Sequence, residues 1–460
     1  MMNLRKIFAL SLALVMMAAL AACAAPATPP PTTTPTAPPG AATPPGGVAE
    51  PAEPAPPQEA TLDFWQSAIT PERHILLDEL WTGFREENPH ITLEFMSFPD
   101  ATTTRQRLDM AMAANALPDI VHTMMLSDYI ANGLVLPLND WLDNSPRGGE
   151  LVEDTVNFFR GLVDGENMYL LSMHLGNTNV IWVRSDWIRE AGMDIPRTWD
   201  EFFDVAHAIS GSGRYGYSIR GGGGSVNTLE FMLFSYSGLD NFFDENGVSQ
   251  LNHPYHVQFL ERYVGYYMTL TPEDDITKGW TELAATFQSG RAGMIVHNTG
   301  SAAAHAVAFD NDYTVFEAIR FPVGRNGRYS IGAEVAGYHV FAPAANNLDA
   351  VYTFLDYVFR ADINTQIGEL WGNLPMNQLA HSDPWIQDFP WMRMAADYRT
   401  DPNVQTYTAP FHIPEFNTIK RDLEPYFQSL MAGNITAQQF LDDWAERMTI
   451  ARDDFYAAMR

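Results

Sequence analysis

Leu62-Asp63-Phe64-Trp65 is a short apolar stretch, and Thr70-Pro71 soon opens a new pattern with Leu76, Leu77, Leu80, Trp81 and Phe84. Asn88-Pro89 interrupts that pattern, and Ile91–Met96 then alternates apolar and polar residues. The spacing predicts a strand, a helix and a second strand. Thr70 suits the helix N-cap and Pro71 the first helical position, where its missing N–H costs nothing. A second helical pattern around Thr104–Ala114 leads to Leu117-Pro118-Asp119-Ile120-Val121, another short buried strand. Alternation of strand and helix predicts an α/β fold built on a parallel sheet covered on both faces.

The grammar continues further along. Met168–Leu171 and Val180–Val183 read as strands on either side of His174-Leu175-Gly176-Asn177. A helix over Asp186–Ala191 stops at Gly192. Thr198-Trp199-Asp200-Glu201 is a capping box, in which the two side chains satisfy otherwise orphaned amides, and Thr436-Ala437-Gln438-Gln439 is a second. Tyr215–Ile219 reads as a strand followed by a flexible loop, Gly221–Gly224. Ala292–Val296 is a strand running into Asn298-Thr299-Gly300-Ser301. Glu334–Phe341 is another, followed by a helix at Leu348–Phe359 and a mostly helical tail. Gly211-Ser212-Gly213-Arg214-Tyr215-Gly216 satisfies the spacing of a dinucleotide fingerprint, but a helix precedes it and a strand follows. The fingerprint needs the reverse order, so these glycines make a turn.

The start of the chain has a different character. Arg5 and Lys6 precede an apolar run, Ile7–Leu20, that ends in Leu20-Ala21-Ala22-Cys23. The run is too short to cross a membrane with margin and reads as an export signal, residues 1–22. Its ending resembles the lipobox of bacterial lipoproteins, which implies a diacylglyceryl group on Cys23. Residues 23–60 are almost wholly Pro, Ala, Thr and Gly after the cysteine, a composition that buries no apolar surface and reads as a disordered tether. The 400 residues that remain exceed one ordinary core, so two lobes are expected. A formal charge of −29 excludes nucleic acid as a partner and a flat seat on anionic lipid. Cys23 is the only cysteine, so the body has neither disulfides nor thiolate metal sites. Nothing in the sequence calls for a cofactor or a metal.

Several passages, in order, resemble family 1 extracellular solute-binding proteins, the maltose-binding-protein-like receptors of ABC importers. These are Phe84–Ile91, Leu117–Val121, Gly133–Leu138, Ala191–Phe202, Phe287–Met294 and Gly372–Pro375. Ala191-Gly192-Met193-Asp194-Ile195-Pro196-Arg197-Thr198-Trp199-Asp200-Glu201-Phe202 is the most specific, and Gly293 departs from the family's usual alanine. The resemblance implies a two-lobed periplasmic-binding-protein-like α/β fold, with three crossings and a ligand cleft between the lobes. By position the first lobe takes residues 61–173 and 325–372, and the second 174–324 and 373–460. The implied protein is a non-enzymatic, lipid-anchored monomer outside the bacterial membrane. It passes a sugar or oligosaccharide to ABC permease subunits and touches the membrane only through Cys23.

Sugar receptors need flat aromatic faces for ring C–H groups and in-plane polar groups for hydroxyls. In this fold both belong where strands end at the cleft. Those positions, several of them assigned through the resemblance, are Trp65, Gln66, His122, Thr123, His174, Asn177, Arg220, Asn298, Ser301, Glu334, Tyr338, Trp371, Asn373 and Phe416. Trp81, Trp199 and Trp444 fall on helical stripes or caps and read as packing. Uncharged sugar is the best match, because Arg220 alone among the candidates is basic and Glu334 alone is acidic. The alternatives are a carbohydrate-cleaving enzyme, a ligand-sensing accessory to a membrane kinase, or a polyamine or phosphate-ester receptor.

Overall fold

The computed structural model describes residues 58–163, 165–175, 179–332 and 335–458. The export signal, Cys23, the tether up to residue 57, Asn177 and Glu334 lie outside these residues. Among the described residues ten strands follow in chain order: β1 Ala60–Gln66, β2 Ile91–Ser97, β3 Ile120–Met124, β4 Val135–Leu136, β5 Asn179–Val183, β6 Met294–Asn298, β7 Glu317–Ile319, β8 Tyr329–Gly332, β9 Ala336–Phe341 and β10 Val404–Tyr407. Ala60, expected to close the tether, is already in the first sheet.

Strand β1 runs parallel to β2 and β3, with Phe64 opposite Phe95 on one side and Ile120 on the other. The helix Pro71–Glu87 connects β1 to β2. Thr70 Oγ1 accepts from Arg73 N at 3.3 Å, and Pro71 stands in the first turn. Leu77, Trp81 and Phe84 are wholly buried, whereas Leu76 is 47% exposed. At 3.6 residues per turn, Leu76 points about 100° away from the face the other three share. The helix Ala101–Ala113 starts earlier than the apolar pattern suggests, because Asp100 caps it by accepting from Thr103 N at 2.6 Å.

The first sheet has the order β2-β1-β3-β9-β4 and is mixed, not parallel throughout. Strand β9 runs antiparallel to both β3 and β4. It comes from the far side, after the chain has built a second sheet, and enters from the opposite direction. That second sheet, β6-β5-β7, is antiparallel, and β8 and β10 form a parallel pair. Met168–Leu171 and Tyr215–Ile219, expected as strands, make only isolated bridges. In the second segment the amides disperse: Tyr217 N donates to Leu270 O, Ser218 N to Met294 O and Ile219 N to a carboxylate of Asp275. No ladder can run through it.

Both capping boxes form. Glu201 N donates to Thr198 Oγ1 at 3.2 Å and Thr198 N to Glu201 Oε2 at 3.1 Å; Thr436 and Gln439 repeat the exchange at 3.1 and 2.9 Å. Gly192, at φ +70°, follows the helix Ser185–Glu190, a conformation a side chain would resist. Segments passing between the two main sheets lie side by side: Leu171 bridges Tyr338, His174 bridges Pro375, and Asn364 Nδ2 donates to Met173 O at 2.7 Å. Trp81, Trp199 and Trp444 are at most 3% exposed and belong to the core.

Candidate functional site

The ends of strands from all three sheets meet at a cavity of about 400 Å³. Met124 closes β3. Asn179 and Asn298 are cross-strand partners at the ends of β5 and β6, and Gly332 and Tyr407 are partners at the ends of β8 and β10. The helix Ser225–Ser237 adds Asn227, Glu230 and Phe231, which share one face at three- and four-residue spacing. Asn417 and Lys420 come from the helix Phe416–Asp422 in the same way. Asn179, Asn227 and Asn417 make no side-chain hydrogen bond among the described residues, so their amides are available to a solute. Trp280, at the first turn of the helix Trp280–Gln288, stacks on His297 with ring centroids 3.6 Å apart.

Arg220 is placed in the wall by the segment around it. Asp275 accepts from Ser218 Oγ and Ile219 N, each at 2.6 Å, and pairs with the buried Lys278 at 2.8 Å. Gly221 N donates to Asp275 O and Gly222 N to Lys278 O. The four-glycine run is therefore pinned, not a flexible loop as its composition suggests. A Cβ on Gly222 would lie 2.4 Å from Thr277 O and 2.8 Å from Thr277 C. Gly222→Ala is expected to cost about 1–3 kcal/mol in stability, as overpacking against fixed backbone does, readable as a lowered midpoint in urea denaturation. Beyond this run the Arg220 guanidinium lies 4.9 Å from the centre of the Trp280 ring.

Opposite stands a buried charged knot. Glu230 accepts from Lys420 Nζ at 3.0 Å and from Tyr407 OH at 2.7 Å, and both charged groups are at most 7% exposed. Burial lowers the proton affinity of Lys420 while Glu230 supports its charge. The two charges cancel locally, leaving Arg220 as the lining's cation without a direct ion pair among the described residues.

Of the residues predicted from sequence, Arg220 and Asn298 line this cavity. Asn298 is held there by its carbonyl, which accepts from Trp182 Nε1 at 3.1 Å and from Ser301 Oγ at 2.8 Å, so Ser301 braces the turn without lining the cavity. His174 instead lines a neighbouring cavity of about 340 Å³, with Phe158, Phe159 and Tyr398; it shares Gly332 with the first. Gln66, His122, Thr123, Tyr338 and Asn373 are buried. Gln66 Nε2 and Tyr338 OH both point at Met173 Sδ, each at 3.8 Å, and the His122 ring packs edge-on against Tyr338 at 4.9 Å. Asn373 accepts from Thr299 Oγ1 at 3.3 Å, and Trp371 lies beneath Arg73 with its carbonyl against Gly300. Those contacts join the passing segments and line neither cavity. Trp65 packs against Phe98. Phe416 is wholly buried between Phe411 and Phe242 and faces the core, because its helix turns Asn417 and Lys420 to the cavity. Asn417, which the sequence places beside Phe416 at the head of a late helix, does line the cavity, whereas Trp280, Glu230, Tyr407 and Lys420 carry no sequence signal for that place.

The family of bacterial extracellular solute-binding proteins matches residues 59–365. A binding protein of Brucella abortus (strain 2308) is 23% identical over 313 residues, 65% of this chain and 72% of its own. The solved GacH receptor of Streptomyces glaucescens, known unliganded and with acarbose, superposes with a TM-score of 0.71 at 18% identity over 86% of this chain and 100% of its own. UgpB of Mycobacterium tuberculosis, solved with glycerophosphocholine, gives 0.71 at 17% identity over 86% and 99%. This chain belongs to the bacterial extracellular solute-binding proteins, the two-lobed, maltose-binding-protein-like receptors of ABC transporters.

Proposed function

We propose that this protein is a receptor that takes a sugar or oligosaccharide into the cavity between its lobes and passes it unmodified to an ABC permease. The lipid on Cys23 and the tether after it hold the receptor at the outer face of the membrane. One observation supports this reading above others. The cavity where three sheets end offers the amides of Asn179, Asn227 and Asn417 beside the rings of Trp280 and Phe231, the pairing of polar edges and apolar faces that a sugar ring presents. The acarbose bound by GacH is of the same chemical class. Closure of the two lobes would follow from differential affinity, since a solute touched from both sides favours the closed form. The three segments between the sheets are the hinge in this reading.

The test is a thermal-shift panel of mono- and oligosaccharides on the purified full chain. A saturating sugar is expected to raise the unfolding temperature, because it binds only the folded state. Trp280→Ala should weaken that sugar about tenfold, the ~1.4 kcal/mol a ring contact supplies, while the ligand-free unfolding temperature moves little. Turnover of any glycan would overturn the reading. So would silence across all sugars together with a shift from glycerophosphocholine or spermidine.

A further inference from the structure

We propose that the solute carries a single carboxylate, as an acidic sugar does, and that Arg220 is the residue that binds it; this rests on the sugar reading above. Arg220 lines the cavity and makes neither an ion pair nor a hydrogen bond among the described residues, and its Nε is shut off from solvent without a partner. Nε has lost water without gaining a partner, whereas the terminal nitrogens of this half-buried side chain are not shut off and stay open to an incoming anion. Its surroundings are built for position, not for neutralisation. The Trp280 ring lies along it, and Gly224 leaves it room, since a Cβ there would fall 2.0 Å from a terminal nitrogen of Arg220. Glu424, the acidic group nearest in effect, accepts from Gly224 N, and Glu282 closes the cap of the Trp280 helix by accepting from Gly279 N at 3.2 Å. Neither pairs with Arg220. Burial lowers the proton affinity of Arg220 to about 10, partly offset by those two glutamates, so it stays charged at neutral pH.

The count of charges selects the kind of anion. The other lining cation, Lys420, is matched by Glu230 at 3.0 Å. One free cation with two carboxylates in its outer surroundings matches a monoanion and repels a phosphate monoester, which carries nearly two charges at neutral pH. The planar fork of arginine fits a carboxylate through two parallel hydrogen bonds, and the free amides around the cavity remain for hydroxyls. The net charge of −29 disfavours anions generally, so selection has to be local.

The experiment compares hexuronates, and hexose di- and trimers bearing one hexuronate residue, with the matching neutral hexoses and hexose oligomers, by calorimetric titration of the full chain. At least one uronide should bind, and at least tenfold more tightly than its neutral counterpart. Its affinity should fall with added salt while that of the neutral sugar does not. Arg220→Met should erase the preference, leaving the two affinities within about twofold, and Arg220→Lys should restore part of it by returning the charge without the fork. If the Met variant fails to fold, the salt dependence and the Lys variant decide alone. Equal binding of acid and neutral sugars, or an acid preference that survives Arg220→Met, overturns this inference and leaves the sugar reading standing. Tight binding of glycerophosphocholine with no uronide bound overturns both. Binding of neutral sugars alone overturns only this inference.

Discussion

Lys420→Met is expected to lower the free energy of unfolding by about 3–5 kcal/mol, the loss that follows when one partner of a buried ion pair is removed. Lys420 and Glu230 are 6% and 3% exposed, and the ammonium also lies 3.9 Å from the centre of the Phe416 ring. Without Lys420 the carboxylate of Glu230 keeps only the Tyr407 hydroxyl. It must then protonate, draw in water or disrupt the helix Ser225–Ser237. Lys420→Met combined with Glu230→Gln should recover most of the loss, because the buried charge disappears while the amide can still accept from Tyr407. Chemical denaturation of the wild type and the variants measures both effects. A single variant within 1 kcal/mol of wild type would show that the pair is not desolvated as the structure has it.

Acid should destabilise the protein between pH 6.5 and 4 by about 3 kcal/mol per pH unit near pH 5. Burial pushes His256, His297 and His339 down to about 4 and His305 to about 3, and it holds His122 well below its ordinary value. An unfolded histidine titrates near 6.5, so in this window the unfolded chain binds protons the folded chain refuses. The stability these groups contribute is complete above pH 6.5 and is lost as the pH falls. Two carboxyls oppose the trend strongly, and Asp119, Glu317 and Glu369, also raised by burial, oppose it more weakly. Burial raises Asp63 and Asp275 to about 6, above the ~3.9 of an unfolded aspartate, so the folded chain takes up those protons first. Asp63 is partly open to water and counts for less. The histidines outnumber the aspartates, and each unopposed proton is worth about 1.4 kcal/mol per pH unit. Urea midpoints measured from pH 7.5 to 4.5 would show the decline. A flat profile would mean that several of these rings are hydrated or protonated in the native state.

Much of the fold was legible because its signals are local. Thr70, Thr198 and Thr436 each cap a helix using groups at most three residues away, and Leu77, Trp81 and Phe84 declare their face by spacing alone. The family passages, above all Ala191–Phe202, are local too. Misreadings arose where a segment's partner is distant. Tyr215–Ile219 has the composition of a strand, yet Asp275 takes one of its amides; Gly221–Gly224 has the composition of a loose loop, yet Asp275–Lys278 packs directly on it.

The candidate site divides along the same line. The sequence by itself determined most of the element types, many of the strand ends at which a cleft residue could stand, the acidic charge and the solute-binding family, since each depends on neighbours along the chain or on totals over it. The tertiary structure alone decided which strand ends open into the cavity. Trp65 and Phe416 went to the core, while Trp280, unremarked at a helix start, reached the wall beside Arg220. Glu230 and Lys420 are 190 residues apart and meet only because helices from distant parts of the chain pack together. A side chain's type sets what it can bind; the packing of remote elements around it sets whether a solute can reach it.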